Sequence, residues 1–188
     1  TLLTSSAASD VYKRQGYDTI DVDACTQSGV LVVNQTGGNA EGVAEHAVGM
    51  ILNLFKRIGE CDHALRRGWN EPRVSLMGKD LLNKNVGIIG LGNTGGRVAE
   101  ICKVAFNCNI LAYDPYLSKE TFKKKHASKT ELDILLSESD VVSVHIPLNK
   151  ETNNMINKDW FKKMKKGSYF VTTSRGSIHN EDLSLIHI

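Results

Sequence analysis

Hydrophobic residues fall into two rhythms along the chain. From Val43 onward, apolar side chains recur at positions 43, 44, 47, 48, 51, 54, 55 and 58. That is the spacing of one helix face over four turns. Glu41 and Glu45 near its start and Lys56 and Arg57 near its end suit the helix dipole. After Leu82 the pattern changes to short apolar runs alternating with amphipathic stretches. Val86-Gly87-Ile88-Ile89, Ile110-Leu111-Ala112-Tyr113, Val141-Val142-Ser143-Val144 and Ser168-Tyr169-Phe170-Val171-Thr172 read as strands. Between them, residues 97–106 put Val98, Ile101, Cys102 and Ala105 on one helical face. Thr130-Glu131-Leu132-Asp133 resembles a capping box opening a helix that carries Leu132, Leu135 and Leu136, and 158–165 reads as a short basic helix. Strands apolar on both faces and separated by helices predict a parallel sheet covered on both sides. Upstream, residues 16–35 predict a short helix or turn and then a strand, Val30-Leu31-Val32-Val33, before a loop at 36–39. Residues 66–84, polar and broken by Gly and Pro, predict a surface connection.

Composition narrows the class. With 41% hydrophobic and 23% charged residues, the chain has material for a core and is not of disordered type. A net charge of +2, from 23 basic and 21 acidic residues, argues against an electrostatic nucleic-acid binder. No apolar run approaches membrane-spanning length, so no membrane partner is expected. Cys25, Cys61, Cys102 and Cys108 form no Cys-x-x-Cys pair and read as buried thiols of a reducing, cytoplasmic compartment. Asp18, Asp21 and Asp23 lack the spacing of a calcium loop, so no metal is expected. The lysine runs at 123–125 and 162–166 lack an interleaved aromatic platform and read as solvated helix faces.

The two ends read differently from the rest. Residues 5–15 back-translate codon by codon to a common transposase-based sequencing adapter. Residues 183–188 back-translate to the reverse complement of its end, in another frame. Residues 1–15 and 183–188 are therefore expected to be adapter-derived and without a fold, which leaves 16–182 for structural reasoning.

Chemistry concentrates where strands give way to loops. Gly90-Leu91-Gly92-Asn93-Thr94-Gly95 follows a predicted strand and opens a predicted helix, the context that a Gly-x-Gly-x-x-Gly nucleotide loop requires. Gly90 permits the tight turn, Gly92 a close approach of backbone to a pyrophosphate, and Gly95 close helix–strand packing. Asp114 ends the next strand, 19 residues after Gly95. A carboxylate there accepts hydrogen bonds from the adenosine ribose and repels a 2′-phosphate. No Arg follows it immediately, so NAD is expected rather than NADP.

Together with further blocks, these residues make the chain resemble the D-2-hydroxyacid dehydrogenase family. The blocks are Gly16-Tyr17-Asp18-Thr19-Ile20-Asp21, the stretch from Asn34 to Val43-Ala44-Glu45-His46, Tyr113-Asp114-Pro115, His145-Ile146-Pro147-Leu148 with Glu151-Thr152, and Thr173-Ser174-Arg175-Gly176. The resemblance implies an α/β fold: a Rossmann-type doubly wound parallel sheet over 42–182, with a remnant of a split flavodoxin-like substrate domain over 16–41. It implies hydride transfer between C2 of a D-2-hydroxy acid and C4 of NAD, with the phosphoglycerate and the hydroxypyruvate or glyoxylate branches expected first. Asn93, Thr94, Ile146, Pro147, Thr173 and Ser174 become cofactor contacts. Arg175 becomes both a cofactor contact and the catalytic residue that holds the substrate carboxylate and C2 oxygen, a role suited to a planar guanidinium. The family's His–Glu acid–base pair follows the Arg-Gly signature and is expected beyond Asp182, so the chain alone is expected to be inactive. His145 then belongs to the cofactor loop, His46 to packing or an interface, and His63 and His126 to the surface. His179 and Glu181 match a turn and helix start. Asn93, Thr94 and Thr172 depart from residues frequent in relatives. The implied partners are a small 2-hydroxy or 2-oxo acid and a second copy of the chain, meeting an apolar face left open on the 43–58 helix. An alternative on the same fold is a non-catalytic, NAD-sensing corepressor or scaffold.

Overall fold

The computed structural model describes residues 20–70 and 72–180. Both expected adapter segments, and with them Asp18 and Glu181, lie outside the described residues. The chain divides into two compact units between Asn39 and Ala40.

In the first unit, helix α1 (Val22–Gln27) starts where the Asp21 carboxylate accepts a hydrogen bond of 2.9 Å from the Ala24 amide. The strand expected at 30–33 does not form. No described strand pairs with it, and Val30, Leu31 and Val33 are 56%, 85% and 71% exposed. Four β-formers in a row make a strand only where a neighbour supplies the hydrogen-bond ladder.

The second unit holds helices α2 (Ala40–Lys56) and α3 (Ile58–Arg66). Strand and helix then alternate through β1 (Asn85–Ile89), α4 (Asn93–Phe106), β2 (Asn109–Tyr113), α5 (Lys119–Lys124), β3 (Ser128–Lys129), α6 (Leu132–Glu138), β4 (Val141–Val144), α7 (Lys158–Lys163) and β5 (Tyr169–Thr172). The five strands form one sheet, all neighbours parallel, in the order β3-β2-β1-β4-β5. The chain builds outward from β1 in one direction, then returns to build outward in the other. That return makes the sheet doubly wound.

Each sheet face carries its own core. On one, Val86, Ile88, Ile110, Ala112, Val141 and Val171 meet α2 and α4 through Ala47, Ile51, Phe55, Val98, Ala99 and Cys102. On the other, Ile89, Val142 and Val144 meet Leu135 and Leu136 of α6, together with Ile156 and Ile178. The strict alternation of these two sets along β1 and β4 is the two-residue period of a strand.

Several expectations need correction. The apolar stripe of α2 is not left open for a partner: Ala44, Ala47, Val48, Ile51 and Phe55 are buried in the chain's own core. The helix also stops at Lys56, two residues short of its apolar pattern. Arg57 takes a left-handed φ of 55°, and its guanidinium donates to Glu60 Oε2 (2.6 Å) and to the Ser75 carbonyl (2.8 Å). Ile58 is consequently 55% exposed. The expected capping box does not form either. Thr130 Oγ1 donates to the Ser128 carbonyl at 3.0 Å, and Glu131 is the N-cap of α6. Of the four thiols, Cys102 and Cys108 are buried, whereas Cys25 and Cys61 are half-buried. Burial pushes the Cys102 thiol up to about 12, which keeps it protonated and unreactive.

Candidate functional site

Sheet register fixes the site. Ile89 is paired with Tyr113 on one side and Val144 on the other, and Val144 with Thr172. Four strands therefore end in one row. The residues that follow them, Gly90, Asp114, His145 and Thr173, open four loops on the same edge. Winding reverses between β1 and β4, and the crevice at such a reversal is where doubly wound sheets bind ligands.

Each glycine of the first loop has a distinct environment. Gly90 has a φ of +85°, and a Cβ there would stand 2.7 Å from the His145 carbonyl oxygen. A Cβ on Gly95 would stand 2.0 Å from the Gly90 carbonyl oxygen, so α4 approaches β1 only without one. Around Gly92 nothing lies within 4 Å of such a Cβ. No protein packing explains that glycine; its open side suits a ligand. Gly92 is also the N-cap of the 14-residue helix α4. The amides of the first turn, from exposed Asn93 and half-buried Thr94, emerge there with the positive end of the helix dipole.

Asp114 stands beside this loop and ties it down. Its Oδ2 accepts the Leu91 amide and its Oδ1 the Tyr116 amide, each at 3.0 Å. A carboxylate keeps lone pairs for ribose hydroxyls after accepting two hydrogen bonds. Tyr116 Oη donates to Glu151 Oε2 at 3.0 Å, linking the loop after β2 to the loop after β4.

The other half of the row is a polar lattice. His145 Nε2 lies 2.8 Å from Ser143 Oγ, and Nδ1 lies 3.0 Å from Thr173 Oγ1. Burial pushes its pKa down to about 4, so the ring is neutral near pH 7. With both nitrogens engaged, His145 joins the ends of β4 and β5. Ser174 Oγ donates to the Val144 carbonyl at 3.0 Å, and the Ser174 amide donates to Thr172 Oγ1 at 3.2 Å. The hydroxyls of Thr173 and Ser174, expected as cofactor contacts, thus hold the loop together. Half-buried Ile146 and exposed Pro147 continue the loop after β4. Thr152 Oγ1 fixes that loop by donating to the Pro147 carbonyl at 2.7 Å. Arg175 is half-buried and directly precedes the short 3-10 turn Gly176–Ile178, so it shares the edge with the Gly90 loop.

Sequence reasoning gave no role to Tyr116 or Ser143, and it placed Leu91 and Glu151 in their loops without the bonds they make. Leu91 contributes only its amide, Tyr116 and Glu151 meet across 35 residues of chain, and Ser143 reaches His145 only because both side chains turn to one side of the strand end, so no motif marks these bonds. The remaining described histidines lie elsewhere: His46 is exposed on α2, His63 is exposed on α3, His126 follows α5 and His179 follows the 3-10 turn. Among the described residues no cluster of His, Cys, Asp or Glu has the makings of a metal site, and no helix is long and apolar enough to cross a membrane.

A five-stranded parallel sheet with a glycine turn at its reversal point and an acidic residue at the end of the neighbouring strand defines a Rossmann-type dinucleotide-binding domain. Residues 48–186 match the family described as D-isomer specific 2-hydroxyacid dehydrogenase, NAD binding domain, and the chain belongs to that family. A D-3-phosphoglycerate dehydrogenase of Archaeoglobus fulgidus is 43% identical over 166 residues, which take in 88% of this chain and 31% of that protein. The hydroxypyruvate reductase of Thermotoga maritima is 38% identical over 167 residues, or 89% of this chain and 53% of that protein. Among solved structures, the D-lactate dehydrogenase of Aquifex aeolicus in complex with NAD and lactic acid gives a TM-score of 0.80 at 37% identity, over 89% of this chain and 50% of that one. The chain thus spans 31% to 53% of the length of these relatives.

Proposed function

We propose that this chain is the nucleotide-binding part of an NAD-dependent dehydrogenase of D-2-hydroxy acids. Residues 42–182 belong to that domain together with Ala40 and Glu41, which open α2, and the residues from 16 to 39 belong to a separate substrate-binding segment. The observation that carries this reading is the single row of strand ends, which puts the Gly90 turn, Asp114, the His145 loop and Arg175 on one edge. In this reading the Gly92, Asn93 and Thr94 backbone holds the cofactor pyrophosphate, and Asp114 accepts the adenosine ribose hydroxyls. Ile146, Pro147, Thr173 and Ser174 line the nicotinamide half.

NAD, when bound, accepts a hydride from C2 of the substrate. Arg175 grips the substrate carboxylate with its planar fork and stabilises charge on the C2 oxygen. The hydroxyl proton goes to a base that is not among the described residues. His145 does not take that role, because its two ring nitrogens are spent on Ser143 and Thr173. A phosphorylated glycerate-type substrate is the branch to test first and a hydroxypyruvate-type substrate the second, because phosphoglycerate dehydrogenases at 36–43% identity overlap a hydroxypyruvate reductase at 38%.

Titrating the 188-residue chain with NADH, followed by nicotinamide fluorescence, tests the reading. Binding without turnover of added 2-hydroxy acids is expected. Replacing Asp114 by Ala should weaken NADH roughly tenfold while weakening NADPH less, because the ribose acceptor and the repulsion go together. Failure of the unmodified chain to bind NADH would remove the proposal.

A further inference from the structure

The first turn of α4 brings no cation of its own to the nucleotide loop. Asn93, Thr94, Gly95 and Gly96 are uncharged, and Arg97 is committed to Glu41 Oε2 (2.8 Å) and Glu100 Oε2 (2.9 Å). A cation arrives from elsewhere in the sequence. Lys125, half-buried at the end of α5, donates from Nζ to the Gly92 carbonyl at 2.7 Å. Gly96 makes room for it, since a Cβ there would stand 2.5 Å from Lys125 Nζ and 3.1 Å from its Cδ. Among the described residues no carboxylate lies within ion-pair distance of this ammonium. A positive charge beside a helix N-terminus opposes the dipole and is unfavourable unless an anion joins it.

We propose that Lys125 is a positioning residue that charges the Gly92–Asn93 peptide for the cofactor's diphosphate; this rests on the nucleotide-site reading above. The peptide is planar and trans, so the carbonyl that Lys125 holds and the Asn93 amide point to opposite sides of one conjugated unit. A donor on the carbonyl polarises the unit and strengthens the amide as a donor. A phosphate oxygen on that amide lies within about 8 Å of Nζ, a distance comparable to the Debye length at physiological salt. Attraction acts through the peptide and through space, without Lys125 touching the cofactor.

The test compares the full chain with Lys125→Gln and Lys125→Arg, using NADH and adenosine as probes at low and high sodium chloride. The expected result is NADH binding roughly three- to tenfold weaker in Lys125→Gln at low salt. That gap should close to less than twofold at 1 M salt, where the Debye length is about 3 Å. Adenosine, which has no phosphate, should bind both proteins equally, and Lys125→Arg should restore most of the loss. Equal NADH affinity in Lys125→Gln, or a parallel loss of adenosine binding, would overturn the proposal in favour of a structural tether. If the unmodified chain binds neither probe, the nucleotide-site reading itself fails and this inference falls with it. Thermal unfolding of both variants separates a folding defect from either result.

Discussion

His145 joins two strand ends with an uncharged ring, and that has a consequence for stability. Its pKa is about 4 in the folded chain, against about 6.5 for a solvated histidine. Between those values the unfolded chain binds the extra proton, so stability rises with pH through this window. The contribution is complete above about 6.5 and is lost as the pH falls toward 4, by at most about 3 kcal/mol. Urea unfolding at pH 7.5 and pH 5 should show a loss that is smaller in His145→Gln, which keeps hydrogen-bonding groups but cannot titrate there. Equal pH dependence in the two proteins would mean that another group carries the effect. At this scale the sequence exposes roles that depend on backbone geometry. Gly90 and Gly95 are identifiable from spacing because any side chain collides with the turn they make. His145, Thr173 and Ser174 are identifiable as loop residues only. Their mutual bonding needs β4 and β5 side by side, and those strands are joined through a long connection.

Elements follow their patterns where packing agrees with periodicity. The apolar stripe of α2 points into the sheet, with Phe55 only 2% exposed and its ring 5.0 Å from that of Tyr169 on β5. Phe55→Ala should therefore cost about 3–5 kcal/mol, while Ile58→Ala, at the exposed first residue of α3, should stay within about 0.5 kcal/mol. Thermal or urea unfolding of the two variants checks the contrast, and similar losses would mean that the helix does not break at Arg57. That break was hidden because the Arg57 side chain is anchored by Glu60 and by Ser75, and the second lies beyond the helix pair. β3 was hidden for another reason. Its two residues, Ser128 and Lys129, are exposed and polar on an edge, so they carry no hydrophobic signature.

At the scale of the molecule, burial of the α2 stripe changes what a second copy would meet. The exposed face of α2 carries Gly42, Glu45, His46, Gly49 and Asn53, small or polar residues rather than an apolar strip. A homodimer through the 43–58 region would have to use these small and polar residues. Sedimentation of the full chain and of a Gly49→Arg variant tests that contact: loss of a dimer in the variant would support it. A monomer in both would discard the α2 interface.

What the sequence determined by itself is local and periodic. The strand–helix alternation, the glycine turn, the acid at the end of β2 and the Arg-Gly signature all follow from steric, periodic or electrostatic rules that act within a few residues. Those rules suffice to place the chain in its fold class. Tertiary structure alone decided the rest. Register put Tyr113, Ile89, Val144 and Thr172 in one row, which turned four separate loops into one site. Helix packing closed α2 onto its own core, and α5 carried Lys125 across to Gly92, 33 residues away in sequence. Such contacts depend on how the elements stack, and no window along the chain contains both partners.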